Sequence, residues 1–380
     1  MNQPLQEVAK VFFKLGCIAF GGPAAHVAMM ENEIVEKRKW LSREHFLDLM
    51  GATNLIPGPN STEMTMHCGY ERAGVKGLFV AGACFIFPAV VITGILAWLY
   101  TSYGQLPEVQ PFIYGIQPAV LAIIASAIFK LGKKAIKNEW LIGLGLLVLI
   151  ESFAGLNEIV ALLTAGILGM LFFYWKNNAF NNTLPSFAPF IFLQILPASI
   201  SKISSLKIFL TFLKVGAILY GSGYVLFAYL DVELVARGWL TRSELVDAIA
   251  IGQFTPGPVL STSTFIGWQL GGFWGAVAAT VGIFLPSFLF VWLLNPLVSK
   301  MRQSKLLGYF LDSVNVAAVA IMIAVLIKMG QEVLIDWRTI LITILSFYFI
   351  FFLKEINALV LVAGGALLGF LLMQIETQQF

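Results

Sequence analysis

Two Pro-Gly-Pro sequences, each followed by short polar side chains, are the part of this chain whose residue types and spacing best suit binding chemistry. A proline lacks the amide hydrogen and its ring clashes with the preceding turn, so each sequence predicts a break in a helix. A half-helix that begins after the break presents unpaired amide hydrogens and about half a positive charge, which together form a site for an anion. The predicted breaks are Pro57, Gly58 and Pro59, and Pro256, Gly257 and Pro258; the predicted substrate-binding donors beside them are Asn60, Ser61, Thr62, Ser261 and Thr262.

Titratable side chains near the first break are candidates for carrying protons. Glu63 stands four residues after Pro59, and His67 follows one helical turn later on the same face. A carboxylate beside an anion site is unfavourable unless it is protonated or paired, so Glu63 is a candidate proton carrier. The alternative is a Glu63 that stays neutral and lines a cavity through hydrogen bonds. His67 and His26 are candidates for a proton relay.

Two lysines and two glycine-containing turns form a second set of candidates. Lys14 and Lys214 occupy matching positions in the two halves of the chain. A cation inside a membrane is usually functional, so we expect the lysines to neutralise a bound dianion, with snorkelling to the membrane surface as the alternative.

The glycine-containing turns are further candidates. Glycine permits close backbone approach, which predicts substrate binding at the turns, with helix packing through small residues as the alternative. The turn residues concerned are Gly21, Gly22, Gly221 and Ser222.

The composition places these candidates in a membrane protein. The chain has 380 residues, of which 58% are hydrophobic and only 12% are charged, whereas about a quarter of the residues in a soluble domain are charged. Residues 77–100 contain no charge, and about 20 apolar residues span a bilayer. The sequence therefore predicts an all-α polytopic membrane protein in contact with the lipid bilayer. A net charge of +3 without a basic tract argues against a nucleic-acid partner. We expect the first helix to stay in the membrane rather than to be cleaved as a signal peptide.

The sequence contains an internal repeat. FFKLGCIAFGG (12–22) aligns with FLKVGAILYGS (212–222), WLSREHFLD (40–48) aligns with WLTRSELVD (239–247), and the two Pro-Gly-Pro sequences align with each other. In this alignment Glu63 corresponds to Thr262, so only the first copy has the carboxylate. We expect a first repeat over residues 1–180, a linking span within 181–207 and a second repeat over 208–380.

The distribution of Lys and Arg predicts that the two repeats are inverted. Cytoplasmic loops collect these residues. The loop at 102–111 has none, whereas the corresponding loop at 298–309 has three, so the two loops are expected on opposite sides. Six spans in each repeat and a short linking span at 184–201 give about 13 spans. Inverted repeats with discontinuous helices are typical of secondary transporters with a binding site near the membrane midplane.

The sequence contains no motif that is typical of an enzyme or of a cofactor-binding protein. The three histidines and the three cysteines lack metal-ligand or disulfide spacing. The chain contains no HExxH, no Gly-x-Ser-x-Gly and no phosphate-binding loop of the Walker A type. We therefore expect no enzymatic activity, no metal, no cofactor and no ATP drive.

Residues 20–64 and 220–263 resemble the chromate ion transporter (CHR) family in its long two-domain form. The resemblance rests on the order Gly-Gly-Pro, Trp-Leu-(Ser/Thr) and Pro-Gly-Pro followed by hydroxyl residues. It implies a multi-pass carrier of the bacterial inner membrane that exports chromate and is coupled to protons. The second copy departs from the pattern, because it reads Gly221, Ser222 and Gly223 and has no acidic counterpart of Glu63.

Combining the residues with this resemblance gives a chromate exporter that works by alternating access and confers chromate resistance. In this interpretation Glu63 couples proton entry to anion exit. Sulfate or another oxyanion as the true substrate is one alternative. A passive anion channel, in which the breaks form a filter, is another, and an intramembrane enzyme is disfavoured by the missing catalytic residues. The oligomeric state, including a homodimer, stays open at this stage.

Overall fold

The fold consists of helices joined by short turns. The computed structural model describes residues 3–20, 22–53, 56–177, 203–220, 223–295, 304–353 and 356–377, and every regular element within them is helical. In chain order the α-helices are α1 Gln3–Ile18, α2 Gly22–Met30, α3 Arg43–Thr53, α4 Asn60–Tyr103, α5 Gln110–Ala135, α6 Glu139–Phe153, α7 Glu158–Asn177, α8 Ser205–Ile218, α9 Leu226–Leu230, α10 Arg242–Phe254, α11 Thr262–Leu294, α12 Lys305–Val333, α13 Trp337–Phe352 and α14 Ala358–Thr377. Two π-helical turns, Glu31–Lys37 and Asp231–Val235, occupy matching positions in the two halves.

Long apolar helices make this a multi-pass membrane protein. Within the described residues, five stretches are long and apolar enough to cross a membrane: Asn60–Tyr103, Gln110–Ala135, Glu158–Lys176, Val259–Leu294 and Lys305–Val333. Two shorter apolar helices follow at Trp337–Phe352 and Ala358–Gln374. The predicted all-α membrane fold is therefore confirmed. The inverted arrangement and the count of about 13 spans stay predictions, and the predicted linking span at 184–201 lies outside the described residues.

Helix α4 is a hairpin rather than one straight rod. Its backbone leaves the helical conformation at Ala73 and Gly74, where Gly74 has φ +63°. A Cβ at Gly69 would overlap the carbonyl of Gly77, although eight residues of a straight helix rise about 12 Å. The two arms of α4 therefore pack against each other directly after the turn.

Helix α11 repeats this hairpin in the second half. Its turn lies at Gly271 and Gly272, where Gly272 has φ +60°. Here Gly267 and Gly275 are in contact, as Gly69 and Gly77 are in α4. Glycine is needed at these crossings because any side chain would push the two arms apart.

The starts of the helices that lead into the breaks agree with the sequence. Helix α3 begins at Arg43 and α10 begins at Arg242. Thr241 caps α10, and Glu244 reaches back to it, which forms a capping box of the Thr-x-x-Glu type. In the first half the backbone N–H of His45 donates to the hydroxyl of Ser42 at 3.1 Å. Each of these helices runs from its cap toward a Pro-Gly-Pro sequence.

The first helix of each half packs on the second arm of the hairpin in the same half. A Cβ at Gly16 of α1 would lie 2.6 Å from the carbonyl oxygen of Phe85 in α4. Gly216 of α8 makes the same close approach to the carbonyl of Ile283 in α11. These contacts bring the C-terminal ends of α1 and α8 to the level at which the prolines interrupt the later helices.

Candidate functional site

The helix breaks of the two halves meet in pairs. The backbone N–H of Gly58 donates a hydrogen bond of 2.6 Å to the carbonyl of Leu219, which follows α8. The backbone N–H of Gly257 donates one of 2.8 Å to the carbonyl of Ala19, which follows α1. Both glycines have positive φ, +146° and +90°, in a region of backbone conformation that favours glycine. Each Pro-Gly-Pro sequence is therefore fixed to the first helix break of the other half.

Half-helices begin directly after both Pro-Gly-Pro sequences. Helix α4 begins at Asn60, and the backbone N–H groups of Thr62 and Glu63 donate to the carbonyl of Pro59 at 2.8 and 3.1 Å. In the second half a 3₁₀ turn over Val259–Ser261 precedes α11, and the N–H of Ser261 donates to the carbonyl of Pro258 at 2.9 Å. The structure thus places the predicted anion-binding segments at helix N-termini. The side chains of Ser61, Thr62, Ser261 and Thr262 are all buried there.

Glu63 lies at the centre of the junction. Its side chain is fully buried, and neither of its carboxyl oxygens has a hydrogen-bond partner among the described residues. A Cβ at Gly58 would overlap Glu63 Oε1 and would lie 2.5 Å from Ser287 Oγ. Ser287 Oγ is also buried without a described partner. Glu63 of the first half and Ser287 of the second half therefore both lie against Gly58, on the side to which a Cβ would project.

The two predicted relay histidines are both buried and both contact residues of the junction or its helices. His26 Nδ1 lies 3.3 Å from Ser61 Oγ, which links α2 to the first turn of α4. His67 Nδ1 lies 2.8 Å from Asn295 Oδ1, at the end of α11. The second contact crosses between the two halves of the chain.

The two predicted lysines lie near acidic residues of the π-helical turns, and Lys214 forms an ion pair there. Lys214 Nζ lies 2.6 Å from Glu233 Oε1, and Arg237 binds the other oxygen of this buried carboxylate at 2.7 Å. Lys14 is exposed on α1. Burial raises the pKa of Glu33, but hydrogen bonds from Arg38 and Lys37 and the nearby charge of Lys14 outweigh burial and hold that pKa below its ordinary value.

One predicted glycine of the first turn, Gly22, is required for steric reasons. Gly22 has φ +81°, and a Cβ there would lie 2.8 Å from the hydroxyl oxygen of Tyr224 in the second half. Larger residues at position 22 would separate the two turns. Gly21, Gly221 and Ser222 lie outside the described residues, so their predicted roles stay predictions.

Further hydrogen bonds connect the second arm of α4 to the break of the second half. Thr93 donates to Ser261 Oγ at 3.2 Å, and Ser261 Oγ also lies 3.3 Å from the hydroxyl of Thr255. Nearer the helix end, Tyr100 donates to Asp247 at 2.6 Å. The second half-helix is therefore surrounded by hydroxyl groups, whereas the first has the carboxyl of Glu63.

Sequence reasoning missed the partners that come from the opposite half. Ser287 follows Pro286, and the alignment pairs it with Ala89. A hydroxyl group in an apolar helix, at a position where the other repeat has none, could have pointed to Ser287. Asn295 gave a similar signal as an amide at the end of a long apolar stretch. Within the described residues, no group of three or more His, Cys, Asp or Glu side chains could hold a metal ion.

Comparison with known proteins gives the same family for both halves. The sequence profile of the chromate transporter family matches residues 6–170 and again residues 206–370. A probable chromate transport protein of Synechococcus elongatus is 31% identical over 90% of this chain and 88% of its own length. A chromate transport protein of Cupriavidus metallidurans is 30% identical over 96% of this chain and 92% of its own, and one of Pseudomonas aeruginosa is 29% identical over 84% and 80%. No solved structure matches the chain. With both halves matched by one profile and with relatives similar over most of its length, the chain belongs to the chromate transporter family.

Proposed function

We propose that this protein is a secondary transporter that exports chromate across the bacterial inner membrane by alternating access, coupled to protons. The observation that carries the proposal is the reciprocal pairing of the breaks, in which Gly58 bonds to Leu219 and Gly257 bonds to Ala19. This exchange of equivalent contacts supports a pseudo-two-fold relation between residues 1–180 and 208–380. Inverted repeats related in this way, with broken helices at their interface, are typical of secondary transporters.

The proposed substrate site lies between the two half-helix N-termini. Each N-terminus directs amide groups and a partial positive charge toward the junction. Chromate is a tetrahedral dianion, so its oxygens can accept hydrogen bonds from both sides at once. In this proposal the binding groups are Asn60, Ser61, Thr62, Ser261 and Thr262, the backbone of the glycine turns at 21–22 and 221–222, and the counter-charges Lys14 and Lys214.

The proposed proton site is Glu63, with His67 and His26 as relays. An ionisable side chain buried in a membrane protein away from any cation marks a functional site by default. Glu63 meets this description, because it is fully buried and its described neighbours include Ser287 and the backbone of Gly58. The second half offers Thr262 at the corresponding position, so one proton site serves two half-helices.

The proposal is tested by transport in proteoliposomes made from the purified full-length chain. Chromate uptake should be saturable, should require the protein, and should respond to an imposed pH gradient. Flux that follows the membrane potential alone and does not respond to the pH gradient would instead support a passive channel. Sulfate, molybdate and phosphate are added in turn as competitors, and stronger inhibition by sulfate than by unlabelled chromate would make sulfate the better substrate.

A matched pair of variants shows whether the half-helix N-termini are the site. Replacing Ser61 and Thr62 together by alanine should raise the half-saturating chromate concentration at least about tenfold, since hydrogen bonds to charged groups contribute about 1.5–3 kcal/mol. Replacing Ser126 by alanine is the control, because this buried hydroxyl lies in α5. Equal uptake by both variants would remove the first half-helix from the substrate site.

A further inference from the structure

Glu63 and Ser287 form a buried polar cluster with no described partners. They belong to opposite halves of the chain, and both lie within 2.5 Å of the point where a Cβ of Gly58 would project. Both side chains are fully buried, and neither carboxyl oxygen of Glu63 nor the hydroxyl of Ser287 has a hydrogen-bond partner among the described residues. Buried polar groups are nearly always satisfied in proteins, so these three oxygens are groups that a ligand can satisfy.

The position of Glu63 determines which charge state of its own carboxyl group is compatible with a bound anion. Glu63 lies in the first turns of α4, at the helix end whose partial positive charge the proposed oxyanion would use. An ionised carboxylate and a dianion would compete for the same partial positive charge and would repel each other. Neither of the predicted counter-charges pairs with Glu63, since Lys214 pairs with Glu233 and Lys14 lies beside Glu33.

The other titratable groups around Glu63 do not supply a permanent positive charge. Tyr220, from the segment after α8, lies within electrostatic range of the carboxyl. His67 lies one turn further along α4 and contacts Asn295, and His26 reaches the neighbouring Ser61 from α2. Removing the repulsion between Glu63 and a dianion therefore falls to a proton on Glu63 itself.

We propose that the oxyanion binds only when Glu63 carries a proton, and that Ser287 donates a hydrogen bond to the bound oxyanion. The inference rests on the proposed function and adds that binding of the proton favours binding of the anion. The protonated carboxyl and the Ser287 hydroxyl then both act as donors to the same ligand. One proton accompanies each dianion, so each transport event moves a net charge of one negative unit across the membrane. A membrane potential that is negative inside drives this charge outward, which differs from the exchange of proton for anion predicted from the sequence.

The test is equilibrium binding of sulfate and chromate to the purified full-length protein over a range of pH. Sulfate stays a dianion across neutral pH, whereas chromate itself takes up a proton there, so sulfate isolates the titration of the protein. Sulfate affinity should fall as pH rises, by up to about tenfold per pH unit once Glu63 is ionised in the free protein. Affinity that is independent of pH, or that increases with pH, would overturn the inference.

Two variants separate the roles of the two side chains. Glu63→Gln should bind sulfate with an affinity that no longer changes with pH, because the amide is neutral and still donates. Ser287→Ala should keep the pH dependence and lose about tenfold in affinity, while Ser126→Ala serves as the control. A Glu63→Gln protein that keeps the pH dependence of the wild type would assign the proton to another group and overturn the inference.

A measurement on the wild type alone avoids dependence on the variants. By linkage, binding of the oxyanion at alkaline pH must draw a proton onto the protein. Adding sulfate to a weakly buffered solution should therefore consume about one proton per anion bound. Proton release, or no change in pH on binding, would overturn the inference. Absence of sulfate and chromate binding at every pH would overturn the proposed function as well, whereas pH-independent binding would overturn the inference alone.

Discussion

The backbone N–H of Gly58 donates a 2.6 Å hydrogen bond to the carbonyl oxygen of Leu219, which joins the first Pro-Gly-Pro break to the end of α8. Carbonyl groups at the C-terminal end of a helix have no partner within that helix. Backbone groups at membrane depth must be satisfied by protein or by a watery cavity. The two kinds of break therefore satisfy each other, and the same bond recurs between Gly257 and Ala19.

Replacing Gly58 by alanine should damage this junction more than replacing Gly257 by alanine. A Cβ at Gly58 would overlap the Glu63 carboxyl, whereas the nearest atom to a Cβ at Gly257 is the Ala89 methyl carbon, at 3.0 Å. Both variants carry backbone strain of about 1–3 kcal/mol from positive φ. Gly58→Ala should in addition displace Glu63 and abolish oxyanion binding.

The comparison is made by thermal unfolding in detergent and by sulfate binding. Gly143→Ala is the control, because a Cβ there would meet no atom within 4 Å and the residue is helical. Unchanged sulfate affinity in a folded Gly58→Ala protein would show that the carboxyl of Glu63 does not need its present position.

The two lysines should behave differently when each is replaced by alanine. Lys214→Ala removes one of two cations from the fully buried Glu233 carboxylate, so the free energy of unfolding should fall by about 1–3 kcal/mol. Lys14 is exposed and makes no comparable buried pair with Glu33, for which Arg38 and Lys37 remain. Lys14→Ala should therefore weaken chromate binding more than it weakens folding.

Thermal unfolding and chromate affinity are measured on both lysine variants. Lys→Arg variants at each position keep the charge and serve as controls. Normal chromate affinity in Lys14→Ala would assign this lysine to the membrane surface, and equal stability of the two alanine variants would contradict the role of the Lys214–Glu233 pair.

Features set by neighbouring residues can be predicted from the sequence. The starts of α3 and α10 at Arg43 and Arg242 follow from local capping chemistry, and the interruptions at Pro57–Pro59 and Pro256–Pro258 follow from the missing amide hydrogen of proline. The partners of the buried groups did not follow, because they depend on how helices about 200 residues apart in sequence pack together. Ser287 beside Glu63 and Asn295 beside His67 are both contacts of this kind.

Asp336, outside the membrane-spanning helices, predicts a dependence of stability on pH. It caps α13, accepting from the backbone N–H of Thr339 at 2.9 Å, from Arg338 at 2.9 Å and from the hydroxyl of Tyr114. Burial raises the pKa of Asp336, but these hydrogen bonds outweigh burial and hold the pKa well below its ordinary value. The ionised carboxylate is thus favoured in the folded state, and its contribution is present above the unfolded-state pKa of about 3.9 and is lost as pH falls through the folded-state pKa.

Asp336→Asn should therefore lower the free energy of unfolding by about 1–3 kcal/mol at neutral pH. The difference between the variant and the wild type should shrink as pH falls below about 3.9. Denaturant unfolding at neutral and acidic pH measures both quantities. A difference that stays constant down to strongly acidic pH would show that the charge of Asp336 is not what stabilises the cap.

His67 and Asn295 should be energetically coupled across the two halves of the chain. The 2.8 Å contact between His67 Nδ1 and Asn295 Oδ1 gives a buried ring nitrogen its described partner. Asn295→Ala should destabilise the protein by about 1–3 kcal/mol, because it leaves that nitrogen without the partner. Once His67 is already alanine, the same change should have a much smaller effect, since no polar group is then left unsatisfied. A double-mutant cycle followed by thermal unfolding measures the coupling, which we expect at about 0.5–3 kcal/mol. Additive effects of the two substitutions would mean that the contact does not hold the first hairpin against the end of the second.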